Sequence, residues 1–355
     1  MQRRKILISA VILLAFLMFL IGTRMFNHLV FDEQKKEKSE VWGADKEIKD
    51  YLSKIEAFIF GKKESEDIEL EGAYNTLEDY LNEIEQIEPD AFTLRQVDYQ
   101  VKTKFTFQQY LQLFTTQSRM TAGYKVYREN ALLLKKIQET YHVTPAIIVA
   151  LWGIETNYGT NVGRSHLIRT LTTLSNQSYR KAFYRRELKA ALQMLNTPPV
   201  IHEQEISTWD GGMGHPSFEP TTYFDLAVDF DRSGFKNIWT SVPDALASIA
   251  NFLHRRGWKE DQPWSMEVDI KSARKIPVIL INNRKRKYPI DFWQKMGVKT
   301  LNGQKWPKRS LKAAILLPDK EHTYLVFNNF DVLMRWNAIP FEALAVGIIA
   351  DKLAM

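Results

Sequence analysis

Residues 152–159 read WGIETNYG: an apolar run, PAIIVALWGI from Pro145 to Ile154, ends on one carboxylate, Glu155, with Gly159 just beyond. Thr144 suits an N-cap, Pro145 a first helical position and Gly159 a stop, so the spacing predicts a helix starting at Pro145. On it Ile148, Leu151, Trp152 and Glu155 fall at i, i+3, i+4 and i+7 and share one face. Glu155 therefore lies on the apolar stripe, in the last turn, where the helix dipole is negative. Desolvation and dipole both disfavour its anion, which predicts a raised pKa and a carboxyl group that keeps its proton near neutral pH. A general acid that cleaves an acetal needs that property. A rim glutamate paired with Arg164 or Arg169 would fit the same position. Asn157, Tyr158, Gly159, Asn161 and Gly163, next along the chain, tip the balance, since they suit a polar, aromatic binding loop beside an acid.

On the N-terminal side the pattern is helical from Phe107 to Ile154. RKAFYRRELKAALQMLN, 180–196, reads as an amphipathic helix stopped by Pro198-Pro199, and SVPDALASIANFLHR, 241–255, as another with Asp244 in its first turn. Between Val268 and Thr323, VDI, IPVILI and KAAILLP alternate with loops rich in Lys, Arg, Asn and Gly, which predicts short strands or irregular structure on a helical body. Helix returns from Phe330 to Leu353. The fold class expected is mainly α (α+β).

The chain opens MQRRK and continues with an uninterrupted apolar run from Ile6 to Gly22. That is the pattern of a signal peptide or signal anchor. The run exceeds the ~7–15 residues of a cleaved signal and reaches the ~17 that span a bilayer, and GTRMFNH offers no small-residue cleavage site. An uncleaved anchor over residues 1–27 is the expectation, with secretion after cleavage as the alternative. Basic residues before the run place the chain from Phe26 onward outside the cytoplasm. A charged tether, 28–65, comes next. Its apolar positions Ile48, Leu52, Ile55 and Phe58 have helical spacing.

The 355 residues hold 45% hydrophobic and 25% charged side chains, the balance of a folded chain with a sizeable core. With 48 basic and 42 acidic residues the net charge is +6, which suits a polyanionic partner such as nucleic acid or an anionic envelope without choosing between them. No cysteine is present, so disulfides, thiolate catalysis, Cys-ligated metals and a lipidated N-terminal cysteine are excluded. The histidines have no H-E-x-x-H spacing. The basic run at Arg284–Lys287 reads as a solvated loop, and nucleic acid is not an expected partner of an exported domain. DFDRSGF, 229–235, is similar to the first half of an EF-hand loop, with Asp229, Asp231 and Ser233 as donors, Gly234 as the turn and the Phe235 carbonyl as a fourth ligand. Asp244 would close it. The bidentate glutamate of the twelfth position is missing, so weak Ca²⁺ binding and a metal-free Asx-turn both stay open.

Taken in order, WGIETNYGTNVG, LTTLS, FYRREL, GGMGHPSFEPTTY, AVDFDRSGFKNIW, DALASIANFLHRRGW and NFDVLMRWNAIPFEALAVGIIADKL resemble the lytic murein transglycosylases of the membrane-bound B type, from about Phe107 to Leu353. The resemblance implies a lysozyme-like α fold with additional helices and a small β-containing part: a domain over 66–355, its catalytic core at about 140–260 and the α/β part at about 265–325. It implies cleavage of the β-1,4 bond between N-acetylmuramic acid and N-acetylglucosamine in peptidoglycan glycan strands. One acid, matched by Glu155, would protonate the leaving oxygen and then deprotonate the muramyl 6-hydroxyl, giving a 1,6-anhydro product with no required cofactor. Peptidoglycan and, through the N-terminal helix, the inner membrane would be its partners, with the catalytic domain in the periplasm.

The same resemblance marks substrate-binding positions. Tyr158 is a candidate from the local reading instead, as the aromatic residue of the polar loop after the acid. Thr208 stands at the family's hydroxyl position, with a hydrogen bond to a sugar or to the acid as its expected role. Ser217 replaces a glutamine and Glu219 a methionine; Glu219 is a solvated loop residue on the plain reading and a second acid on the sharper one. Trp336-Asn337 matches a Tyr-Asn pair whose asparagine lies near the acid, and Trp336 keeps a stacking face while losing a hydroxyl. The departures in the 208–219 loop leave a non-catalytic peptidoglycan-binding relative as the alternative from another class, and a hydrolytic muramidase as a third.

Overall fold

A computed structural model describes residues 89–355, apart from 103–104, 196–201, 272, 274–275, 302–303 and 309. The expected anchor and tether lie outside the described residues. Twelve α-helices occur among the described residues. They run α1 Ala91–Lys102, α2 Phe107–Phe114, α3 Gln117–Glu129, α4 Ala131–Tyr141, α5 Pro145–Thr156, α6 Leu167–Gln177, α7 Lys181–Leu195, α8 Pro220–Leu226, α9 Val242–Arg255, α10 Ile290–Lys295, α11 Asn328–Trp336 and α12 Pro340–Leu353.

The helix of the WGIETNYG motif, α5, is the axis of the body. It is enclosed on every side rather than along one stripe, since Ala146 to Ile154 are all buried. Each of Ile147, Ile148, Leu151 and Trp152 contributes about 1.5–3 kcal/mol by leaving water. Helices α3, α4, α9 and α12 pack around it. Thr144 is the N-cap residue but its side chain makes no capping bond, so Pro145 alone provides the start signal. The stop also differs from expectation. The C-cap is Asn157 in the left-handed region, φ 49°, then come Tyr158 at 60° and Gly159 at 78°, so three residues share the reversal.

The expected 330–353 helix is two helices bent by 115°, because Pro340 cannot continue α11 and begins α12 instead. The strap between them, Asn337 to Ile339, is thereby free to line a cleft. No helix among the described residues is long and apolar enough to cross a membrane.

Residues 265–326 form the expected β part. Strands β3 Ser265–Asp269, β4 Tyr288–Pro289, β5 Lys299–Thr300, β6 Lys312–Leu316 and β7 Tyr324–Val326 make an antiparallel sheet of order β4-β6-β7-β3-β5. Trp293, Ile315, Leu325 and Phe327 fill its core, and the Trp293 indole donates to the Ala313 carbonyl at 3.0 Å. The basic run is not merely solvated: Arg284 and Lys287 both pair with Asp331 on α11, fixing the sheet to the helix that leads into the strap. A two-stranded ribbon, β1 Ser165–His166 with β2 Ile206–Ser207, ties the loop after α5 to the 208–219 loop.

Candidate active site

Glu155, in the last turn of α5, lies at the floor of a cleft of about 710 Å³. Its walls come from α7 (Tyr184), the 208–219 loop (Asp210, Ser217, Glu219), the end of α11 (Trp336) and the strap (Asn337). The carboxylate is paired neither with Arg164 nor with Arg169. It accepts from the indole Nε1 of Trp336 at 2.7 Å. Burial pushes its pKa well above the usual carboxylate value, and the nearby Glu342 adds to this. The Trp336 hydrogen bond works in the opposite direction, while Asp210 and Glu219 push it up further. The sequence expectation of a raised pKa rested on desolvation and the helix dipole; burial is the first cause here, and neighbouring carboxylates rather than the dipole come next.

Glu342 is not legible in the sequence as a site residue. It stands at the third position of α12, where a glutamate ordinarily serves the helix N-terminus, and that bland role hides it. Its one signal is isolation, a single charge in the run from Pro340 to Ala350. Its Oε2 accepts from the Tyr110 hydroxyl at 3.2 Å and from Asn337 Nδ2 at 2.9 Å. Burial raises its pKa to about 7 against those two donors. Asn337 thus lines the cleft as expected, but its amide holds Glu342 rather than Glu155.

Trp336 does more than stack. Its ring packs at 4.7 Å from Phe252 and 5.5 Å from Phe218, which leaves its N–H aimed at the acid. The replacement of a phenol by an indole removes an acceptor and keeps a donor.

The 208–219 loop is built on glycines. Gly211 and Gly214 have φ of 92° and 63°, and a Cβ on Gly212 would collide with the Ser217 hydroxyl. The Thr208 hydroxyl donates to Asp210 and accepts from the Gly212 amide at 2.9 Å. It therefore closes the turn and is not on the cleft wall; Asp210, absent from the sequence expectation, is. Ser217, at φ 53°, does face the cleft. Glu219 is not a solvated loop residue. It is the N-cap position of α8, half-buried in the wall, where burial raises its pKa and Glu187 and Asp210 add to the effect.

Tyr158 is turned away from the cleft. Its ring covers Gly153, where a Cβ would lie 2.6 Å from it, and its hydroxyl donates to the Arg119 carbonyl at 3.1 Å. It packs the helix interface instead of meeting a ligand.

In the loop before α9 and its first turn, oxygens of Asp229, Asp231 and Asp244 lie within 4.8 Å of one another. The loop satisfies itself with amides: Asp229 accepts from Ser233 and Gly234, and Asp244 from Phe230, Asp231 and Asn237. The Ser233 hydroxyl donates to the Phe235 carbonyl at 3.2 Å. This is the Asx-turn arrangement, with oxygen donors of the type a hard cation takes.

The family model described as the transglycosylase SLT domain matches residues 68–351. The membrane-bound lytic murein transglycosylase B of Escherichia coli (strain K12) is 29% identical over 251 residues, 69% of this chain and 67% of that protein. Among solved structures, SltB3 from Pseudomonas aeruginosa in complex with NAG-NAM-pentapeptide has a TM-score of 0.69 at 32% identity, covering 79% of this chain and 75% of that one. The Escherichia coli lytic transglycosylase Slt35 in complex with calcium has a TM-score of 0.63 at 26% identity, covering 76% and 84%.

Proposed function

The chain belongs to the transglycosylase SLT domain family and is a lytic transglycosylase, and from that premise we propose that Glu155 is its single acid and base, acting on the bond between N-acetylmuramic acid and N-acetylglucosamine. The observation that carries this is one carboxyl group at the floor of the cleft, held neutral by burial and by other acids, with one directed donor on it.

Neutral Glu155 gives its proton to the glycosidic oxygen as the bond to the anomeric carbon breaks. The resulting carboxylate is stabilised by the Trp336 N–H. It then takes the proton of the muramyl 6-hydroxyl, whose oxygen closes on the anomeric carbon. The acid is regenerated and no water is consumed, which a cleft walled by Trp336, Phe218 and Phe252 favours. Ser217, Asp210, Glu219 and Asn337 supply polar contacts to the sugar rings. SltB3 has been solved with a NAG-NAM-pentapeptide, which supports a peptidoglycan strand as the ligand.

The Slt35 relative is in complex with calcium. In this chain Asp229, Asp231 and Asp244, with Ser233 and the Phe235 carbonyl, would hold such an ion weakly, and it would brace the loop before α9 without entering the reaction. We further infer a periplasmic domain tethered to the inner membrane by residues 1–27, supported by the basic flank and apolar run and by the membrane-bound relative.

Incubating the soluble domain and Glu155→Gln with purified sacculi, and reading released muropeptides by mass spectrometry, tests the reading. Anhydro-muramyl ends that vanish in the variant are expected. Reducing ends would mean a hydrolase, binding without release a non-catalytic relative, and full activity of the variant would remove Glu155 from the mechanism.

A further inference from the structure

We propose that Glu342 is a positioning residue for the reaction: held as the anionic member of a buried carboxyl pair by Tyr110 and Asn337, it keeps the proton on Glu155. The proposal rests on the reading of Glu155 as the acid.

The geometry begins with two consecutive residues. Trp336 donates to Glu155 at 2.7 Å and Asn337 donates to Glu342 at 2.9 Å, so the junction of α11 with the strap holds both carboxyl groups. Helices α5 and α12, which carry them, pack along each other. Two acids close together in a protein interior do not both ionise, and the one with more donors takes the charge. Among the described residues Glu342 accepts from two groups, Tyr110 and Asn337, and Glu155 from one, Trp336. Beyond the pair, Glu155 faces two further acids, Asp210 and Glu219, whereas Glu342 faces Asp210.

The other charged groups on the packed elements leave this assignment in place. Arg119 of α3 acts on Tyr110 and Tyr158. On α11, Arg335 donates to the Arg256 carbonyl, and Asp331 is neutralised by Arg284 and Lys287. The direction of the titrations agrees: Glu342 sits at about 7, and its charge is the largest influence after burial in raising the pKa of Glu155. As pH rises through about 7 the first proton leaves from Glu342, and the pair then carries one negative charge, on Glu342, and one proton, on Glu155. A buried acid kept neutral by its neighbour is what protonation of a glycosidic oxygen requires.

The test is the pH dependence of anhydro-muropeptide release, from about pH 5 to about 9, for the wild type, Glu342→Gln, Glu342→Asp and Tyr110→Phe. Glu342→Gln keeps the shape and removes the charge, so Glu155 ionises more readily. The alkaline limb is expected to move to lower pH by about one unit or more, which is about a tenfold loss of rate on the alkaline shoulder. Tyr110→Phe removes a donor from Glu342 without removing a charge, lets Glu155 compete for ionisation, and is expected to move the limb in the same direction by less. Glu342→Asp, which keeps the charge, is expected to restore most of the wild-type limb. A merely structural glutamate would lower the rate at all pH values without moving the limb, and that result in Glu342→Gln overturns the proposal. Should Glu342→Gln not fold, an unmoved or alkaline-shifted limb in Tyr110→Phe overturns it equally. Failure of the catalytic reading is seen separately, as activity retained in Glu155→Gln, and it takes the proposal with it.

Discussion

The indole of Trp336 donates to Glu155 Oε1 at 2.7 Å from a ring wedged between Phe218 and Phe252. A donor on a carboxyl oxygen favours the anion, so it opposes the burial and the negative neighbours that keep Glu155 protonated. The acid is thus set between two demands: neutral enough to give a proton, and supported enough as an anion to take one back.

Trp336→Phe separates these demands. The ring packing is largely kept and the donor is lost, so the Glu155 pKa rises further and the alkaline limb of the pH–rate profile moves to higher pH. Turnover falls about tenfold or more, since a hydrogen bond to a charged group is worth about 1.5–3 kcal/mol. Steady-state release of anhydro-muropeptides across pH measures both; an unchanged limb would show that the indole N–H does not act on Glu155.

Much of this site can be read from residues 152–159 because the apolar run is local and its single acid is conspicuous. Other parts cannot. Glu342 reaches Glu155 only through the packing of α5 on α12, a long-range contact that no spacing encodes, and its position at a helix start has an ordinary explanation. Tyr158 and Thr208 carry the right chemistry in the right neighbourhood, yet chain reversal at 157–159 turns the tyrosine inward and the glycine turn absorbs the hydroxyl. The break before Pro340 is in principle visible, since the residue before a proline leaves the helical region.

Gly153 is required inside α5 by the ring of Tyr158. A Cβ there would lie 2.6 Å from the ring, inside a helix with no room to yield. Gly153→Ala is expected to destabilise the domain by about 1–3 kcal/mol through overpacking, despite alanine's better helix propensity. A lower Tm in differential scanning fluorimetry checks it; an equal or higher Tm would mean that Tyr158 moves freely.

Asp244 is fully buried at the start of α9 and accepts three backbone amides. Asp244→Ala orphans those donors and should cost about 3 kcal/mol or more, while Asp244→Asn keeps part of the set and costs less. A chelator such as EDTA is expected to leave turnover intact, because this loop is held by amides and stands outside the reaction. Loss of turnover on chelation, restored by Ca²⁺, would contradict that.

The carboxyl pair also has a thermodynamic signature. Glu342 has its pKa raised from 4.5 to about 7 in the folded state, so folding binds a proton between those values. The group's contribution is fully present below about pH 4.5 and is lost as pH rises through about 7. Stability is therefore expected to fall across that window by an amount on the order of 3 kcal/mol, reduced where the two acids share the change. Glu342→Gln removes one of the two raised carboxyl titrations and leaves that of Glu155, so its stability should fall less steeply over the window and exceed that of the wild type near pH 8. The same substitution is expected to lose activity on the alkaline side. A variant more stable and less active at one pH is what a charge buried for function produces, whereas a glutamate serving only its helix start would lose stability when neutralised. Urea unfolding at about pH 5 and about pH 8, read beside the rates, distinguishes the two.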